Sequence, residues 1–162
     1  MAAATLVPVK PIFLKECDVE IDLYDATGKL AASPKDFAAA CSEVTITPKT
    51  SQQSFQGMKK SAKFTDFGDP EWSATLNLAQ DLSTGSLTRF LLDNGGKRAA
   101  MRFRPTTGAN AAIDVNVVLG PPTLGGKVAG YATTTATLGV EGQPQIVEST
   151  TIATDPIGTT TA

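Results

Sequence analysis

The sequence predicts a mainly β domain, an antiparallel β-sandwich or barrel with one α-helix covering a face or an end. Three observations carry that expectation. Several short runs alternate apolar and polar residues, the period of a half-buried strand. Only the stretch around 87–91 spaces its apolar residues as a helix does. Of 162 residues only 19% are charged, and Thr, Ala and Gly are abundant.

Taken in order, residues 1–16 hold Pro8 and Pro11 among Leu6, Val7, Val9, Ile12, Phe13 and Leu14. Proline lacks the N–H that a ladder needs, so this segment reads as an extended arm or edge strand. A β domain is expected over 17–142. Its first strand, CDVEIDLY, sets Cys17, Val19, Ile21 and Leu23 on one face and Asp18, Glu20 and Asp22 on the other. Asp25 to Gly28 turns the chain. In SPKDFAAA, Ser33 could cap and Pro34 could open one or two helical turns, although an extended segment fits as well. EVTITP reads as a strand with Val44 and Ile46 inward, ended by Pro48.

Residues 49–70 read as a long polar loop in which Phe55, Met58, Phe64 and Phe67 follow no sustained period. Such loops are usually functional or disordered, and disordered chains are poor in aromatics. The next strand sets Trp72, Ala74, Leu76 and Leu78 on one face and Ser73, Thr75 and Asn77 on the other. Ser83 or Thr84 can cap a helix holding Leu87, Phe90 and Leu91, with Asn94 and Gly95 as its left-handed stop. Strand 97–104 then points Ala99, Met101 and Phe103 inward and Arg98, Arg102 and Arg104 outward, and Pro105 ends it. Strands over 112–119 and the alternating run KVAGYATTTATLGV complete the domain. Residues 143–162, Thr-rich with scattered Pro, read as a mobile C-terminal tail.

Composition removes much catalytic chemistry. The chain has no histidine, and so lacks the usual near-neutral proton carrier and the imidazole zinc sites. Cys17 and Cys41 lack a CxxC spacing and read as small apolar residues. The Gly95-Gly96 and Gly125-Gly126 pairs lack phosphate-loop spacing and read as turns. The acidic row Asp18, Glu20, Asp22 and the arginine row Arg98, Arg102, Arg104 each read first as a solvated or partner-facing surface. The net charge of −2 gives no global pull toward nucleic acid or anionic lipid. The N-terminus lacks the basic and long apolar regions of a signal peptide, and no apolar run reaches membrane-spanning length. No enzyme, cofactor or metal is expected.

The ordered series EVTITPKTSQQSFQG, FTDFGDPEWSATLNLAQD, SLTRFLLDNGGKRAAMRF and TATLGVEGQP resembles the major tail (tail tube) proteins of long-tailed, non-contractile bacteriophages, with phages of actinobacteria nearest. The likeness spans about residues 12–144 and rests on order and spacing rather than on any one motif. It implies an antiparallel β-sandwich or partly open barrel with one flanking α-helix, and a virion protein, made in the host cytoplasm, that self-assembles into stacked, usually hexameric, rings. These form a hollow tube around a tape measure protein, with tail-tip and terminator proteins at its ends. The genome passes through without specific binding. On that reading Phe55, Met58, Phe64 and Phe67 are candidate contacts to the next ring. DNA carries about one negative charge per 1.7 Å of duplex axis, so a lumen built for passage should be acidic or neutral. Asp18, Glu20 and Asp22 are the candidate lining, with Ser73, Thr75 and Asn77 beside them and the arginine row elsewhere. The alternative is a monomeric β-sandwich binding or capsid-decoration module.

Overall fold

The structure is a computed structural model that describes residues 2–31, 33–106 and 111–148. Its strands are β1 (Asp18–Leu23), β2 (Lys35–Asp36), β3 (Cys41–Lys49), β4 (Gln52–Gln56), β5 (Lys63–Phe67), β6 (Glu71–Ala79), β7 (Arg98–Arg104), β8 (Ala111–Val118) and β9 (Thr133–Glu148). One helix, α1 (Leu87–Asp93), and a 3-10 turn at Ala38–Ala40 complete the described elements. Seven strands form one antiparallel sheet in the order β2-β1-β7-β8-β9-β6-β3, and β4 and β5 form a separate hairpin.

Chain connectivity decides the shape of the sheet. β2 and β3 lie at opposite edges, yet only four residues separate Asp36 from Cys41. Five residue steps span at most about 18 Å. A flat seven-stranded sheet would hold its edge strands about 29 Å apart. The sheet must therefore curl until its edges approach, giving the partly open, sandwich-like barrel expected from the sequence. β9 makes the corner. Its first half pairs with β6 (Ser73↔Gly139 through Ala79↔Thr133), and its second half pairs with β8 (Val118↔Gly139 through Ala111↔Glu148).

One face of this curled sheet carries the core. Val19, Ile21, Ala74, Leu76, Leu78, Met101, Val115, Val117, Ala136 and Leu138 are all buried, and α1 closes the space with Leu87 and Leu91. Phe37, which enters the 3-10 turn, packs against Phe90 of the helix with ring centroids 5.1 Å apart. Fully burying a Leu or Val side chain contributes roughly 1.5–3 kcal/mol, so this alternating set is the main force holding the curl.

Several local expectations change. Of the two readings of SPKDFAAA, the extended one holds at Lys35 and Asp36, which pair with β1 while Asp36 Oδ1 accepts from the backbone N–H groups of Val19 (3.1 Å) and Ala38 (3.0 Å), and helical geometry is confined to the 3-10 turn at Ala38–Ala40. Pro48 does not end β3, which continues to Lys49, since an edge strand tolerates a missing donor. Residues 49–70 are not a structureless loop but hold the β4–β5 hairpin. The helix cap is Ser86, whose Oγ accepts from Arg89 N–H, rather than Ser83 or Thr84. The left-handed residue after the helix is Gly96, with φ of 83°, and not Asn94 or Gly95. β9 runs on to residue 148, past the expected boundary at 142/143. Two extra residues of β9 lie between the Asn116↔Glu141 and Asp114↔Gln145 pairs, and this bulge takes up Gly142 (φ 78°) and Pro144. The remainder of the expected tail, 149–162, lies outside the described residues.

Candidate assembly surfaces

Three surfaces carry the residues that the sequence singles out: the hairpin, the N-terminal arm and the polar face of β1, β7 and β8. The hairpin leaves the sheet between Lys49 and Glu71, which pair at the shared end of β3 and β6. Its register sets Phe55 opposite Phe64, on the face shared with Gln53 and Asp66. Phe67 stands opposite Gln52, on the other face, and Met58 lies in the connecting turn. The phenylalanines are 66%, 66% and 67% exposed and Met58 is wholly exposed, so all four sequence candidates are in solvent. The structure brings two of them together and separates the others. Every residue of both strands is exposed, which means that nothing in the subunit backs this ribbon. A two-stranded hairpin in water is marginal by itself, and one with three bare phenylalanines calls for a partner.

The arm, residues 2–16, has no regular secondary structure, and Leu6, Val7, Val9, Ile12, Phe13 and Leu14 stand in solvent. Its C-terminal end borders a groove of about 450 Å³ where the curled sheet fails to close, lined by Cys17, Val19, Ala38, Cys41, Val44 and Phe103 among others. Both thiols are free and half-buried. Burial pushes the Cys41 thiol up to about 11, and the Asp36 carboxylate adds to the shift, so at neutral pH it is an inert S–H.

The polar face departs most from expectation. The acidic row does not stand alone, and the arginine row is not elsewhere. β1 pairs with β7 in a register that sets Asp18 opposite Arg104 and Glu20 opposite Arg102. Directly opposed residues of antiparallel strands point to the same side, so the two rows interleave. Arg104 Nη1 approaches Asp18 Oδ2 at 3.9 Å. From β8, Asp114 takes Arg102 in a two-pronged grip, with Nε to Oδ1 and Nη2 to Oδ2 both 2.6 Å. Arg102 and Asp114 are each only 1% exposed, which corrects the reading of an outward, solvated arginine. Asp22 is also buried, its Oδ1 accepting from Ser33 N–H at 3.4 Å. Burial raises the Glu20 carboxyl above its ordinary value, against the lowering pull of Arg104 and Arg102. Tyr24 Oη donates to Asn116 at 2.7 Å, and burial holds its phenol above the ordinary value, with Asp22 adding.

Of the seven charges in the two predicted rows and Asp114, only Arg98 is widely exposed, bonded to Glu141 at 3.1 Å. The neutral Ser73, Thr75, Asn77 row is not beside the acidic row either: β7, β8 and β9 lie between β1 and β6. Asn77 instead bonds Glu43 and Thr135, both at 2.8 Å.

The sequence reading missed Asp114. Its signal was available: β7 and β8 are consecutive, and AIDVNVV places Asp114 and Asn116 on the polar side of β8. It also missed Leu82, Leu124, Val128 and Tyr131, exposed on loops at the Ala79 end of β6. Leu82 and Leu124 are isolated and carry no periodic signal, whereas Val128 and Tyr131 fall in the run KVAGYATTTATLGV read from sequence as strand throughout, of which only the part from Thr133 onward is in β9. No metal-holding group of His, Cys, Asp or Glu occurs among the described residues, and no helix there is long and apolar enough to cross a membrane.

No protein-family model matches the chain, and no curated protein matches it. Solved structures do. A chain from the cryo-EM structure of the anti-feeding prophage (AFP) baseplate, 6-fold symmetrised, superposes with a TM-score of 0.56 at 14% identity, covering 89% of this chain and 100% of that one. The likeness is one of fold.

Proposed function

We propose that this chain is a structural subunit of a phage-type tail, which self-assembles into stacked, hexameric rings that form the hollow tail tube for genome delivery. The observation that carries the reading is the hairpin: a projecting, unbacked ribbon that exposes Phe55, Met58, Phe64 and Phe67. A subunit whose task ended at its own surface would not keep this much apolar area in water. The apolar arm is a second such element. The fold shared with a chain of a six-fold phage-like baseplate, covering nearly the whole of both, supports the same class of role.

In the assembled tube the other partners are a tape measure protein inside and tail-tip and terminator proteins at the ends, within the virion. If the β1 face borders the channel, Asp18 and Glu20 contribute to the lining and Asp22 does not, because it is buried. With Arg104 beside Asp18 and Arg102 opposite Glu20, such a lining is close to neutral rather than acidic. That still suits passage, since few phosphate contacts would hold the duplex.

Electron microscopy of the purified protein, alone and with a tail-tip initiator, tests the proposal. Stacked rings or tubes are expected. A protein that stays strictly monomeric under both conditions overturns it and leaves the binding or decoration module.

A further inference from the structure

β6 has a different loop system at each end. At Glu71 the chain arrives from the hairpin. At Ala79 it enters residues 80–86, which are bound through Gln80 to residues 120–132: Gln80 N–H donates to Ala132 O (2.8 Å), Gly125 N–H donates to Gln80 Oε1 (3.0 Å), and Gln80 Nε2 donates to Gly125 O (2.5 Å). This paired-loop end exposes Leu82, Leu124, Val128 and Tyr131, the last 99% exposed. None of these joins the core or lies in a strand. The molecule thus shows two apolar surfaces separated by the length of one strand, about 27 Å for nine residues.

We infer that the paired loops 80–86 and 120–132 are the receiving surface for the β4–β5 hairpin of a second copy. The inference rests on the ring-stacking reading and names the surface that reading needs. Two arguments select a second copy as the occupant. The first is placement. A surface at one end of β6 that accepts an element from the other end makes a head-to-tail contact, and repetition along the strand axis gives an open stack instead of a closed dimer. The molecule's own hairpin does not fold back to fill the site, since every residue of β4 and β5 is exposed. The second is size. A stable interface uses about 20–30 residues on each side. The hairpin with its root, Lys49 to Glu71, holds roughly that number, and the two loops together hold about twenty, so each side is commensurate with the other.

Charge does not choose the pairing. Lys59, Lys60 and Lys63 make the hairpin tip basic, while the loops hold Asp81 and Lys127. Apolar contact is what the two surfaces share, so association should tolerate salt, unlike a contact held by exposed ion pairs.

Cross-linking tests the assignment. The variant Met58→Cys/Tyr131→Cys alters two wholly exposed side chains, one on each surface, and should fold as the parent does. The parent's Cys17 and Cys41 are half-buried, and the unaltered protein measures their background. After mild oxidation of assembled material, the double variant should give a ladder of covalent species well beyond the dimer. A mixture of the two single variants should stop at the dimer, and each single variant alone should give none. Normal tubes or stacked rings without a ladder, or dimers from Met58→Cys alone, overturn this inference and leave the tube proposal standing. A protein that forms no assemblies under any condition overturns both.

Discussion

The hairpin and the β7–β8 pair invert the usual rule of what goes inside. The hairpin holds three phenylalanines in water, whereas β7 and β8 hold an arginine and an aspartate almost wholly buried. Side-chain type decided neither outcome. Phe103, on β7, is buried because a curled sheet and a helix lie over its face. Phe55 has no second layer to enter. Arg102 is buried because Asp114 meets both of its donor directions from the next strand, and a bidentate carboxylate is the partner that makes a buried guanidinium tolerable. An apolar group needs a layer and a charged group needs a partner. The β7–β8 region has both within one chain, while the hairpin has no covering layer of its own, and in the proposed stack a second copy would supply it.

This contrast can be broken most severely at Asp114. Asp114→Ala leaves a buried guanidinium without its main counter-charge and should cost about 3–5 kcal/mol of subunit stability, read from urea unfolding. A loss below 1 kcal/mol would mean that Arg102 finds water in solution. The converse experiment is at the hairpin. Phe55→Ser with Phe64→Ser should leave the stability of the isolated subunit within about 0.5 kcal/mol, because both side chains are already in solvent. Stacking should weaken by about 2 kcal/mol per anchor, roughly thirtyfold each in the concentration needed for assembly by light scattering. Unchanged assembly would show that the phenylalanines are idle.

The smallest effect sharpens the polar side of the comparison. Burial raises the folded-state pKa of Glu20 above its ordinary 4.5, so the native state binds the proton more tightly than the unfolded chain. Stability from this group is therefore greatest below pH 4.5 and falls as pH rises through the folded value. Glu20→Gln removes that loss. It should raise the melting temperature slightly at pH 7, with the gain vanishing on acidification below 4.5. An equal gain at pH 4 and pH 7 would assign the effect to packing instead of protonation.

The strands that the sequence marked well are those whose alternation is uninterrupted. In β1, β6 and β7 the apolar residues at period two face the core, because a strand's two faces are set by local backbone geometry; the exception is Trp72 at the start of β6, which is half-buried and outside the core cluster. The second half of β9 was illegible for a local reason: Gly142 and Pro144 sit in a bulge, and a bulge looks like a broken pattern to any reading of period. The hairpin was illegible because both of its faces mix polar and aromatic residues, so alternation never separated them. Its four exposed apolar residues were nonetheless named from sequence, by their failure to fit any period.

The sequence by itself determined the mainly β class, the single helix, the inward-facing residues of the regular strands and the absence of imidazole chemistry, since all of these follow from composition or from neighbours a few residues apart. Only the tertiary structure decided that the acidic and arginine rows share one face, that Asp114 buries Arg102, that four residues between β2 and β3 force the sheet to curl, and that the hairpin and the paired loops lie at opposite ends of β6. These are facts of pairing between strands distant in sequence. Pairing order and register arise from which strands meet across the chain, and no local pattern encodes them.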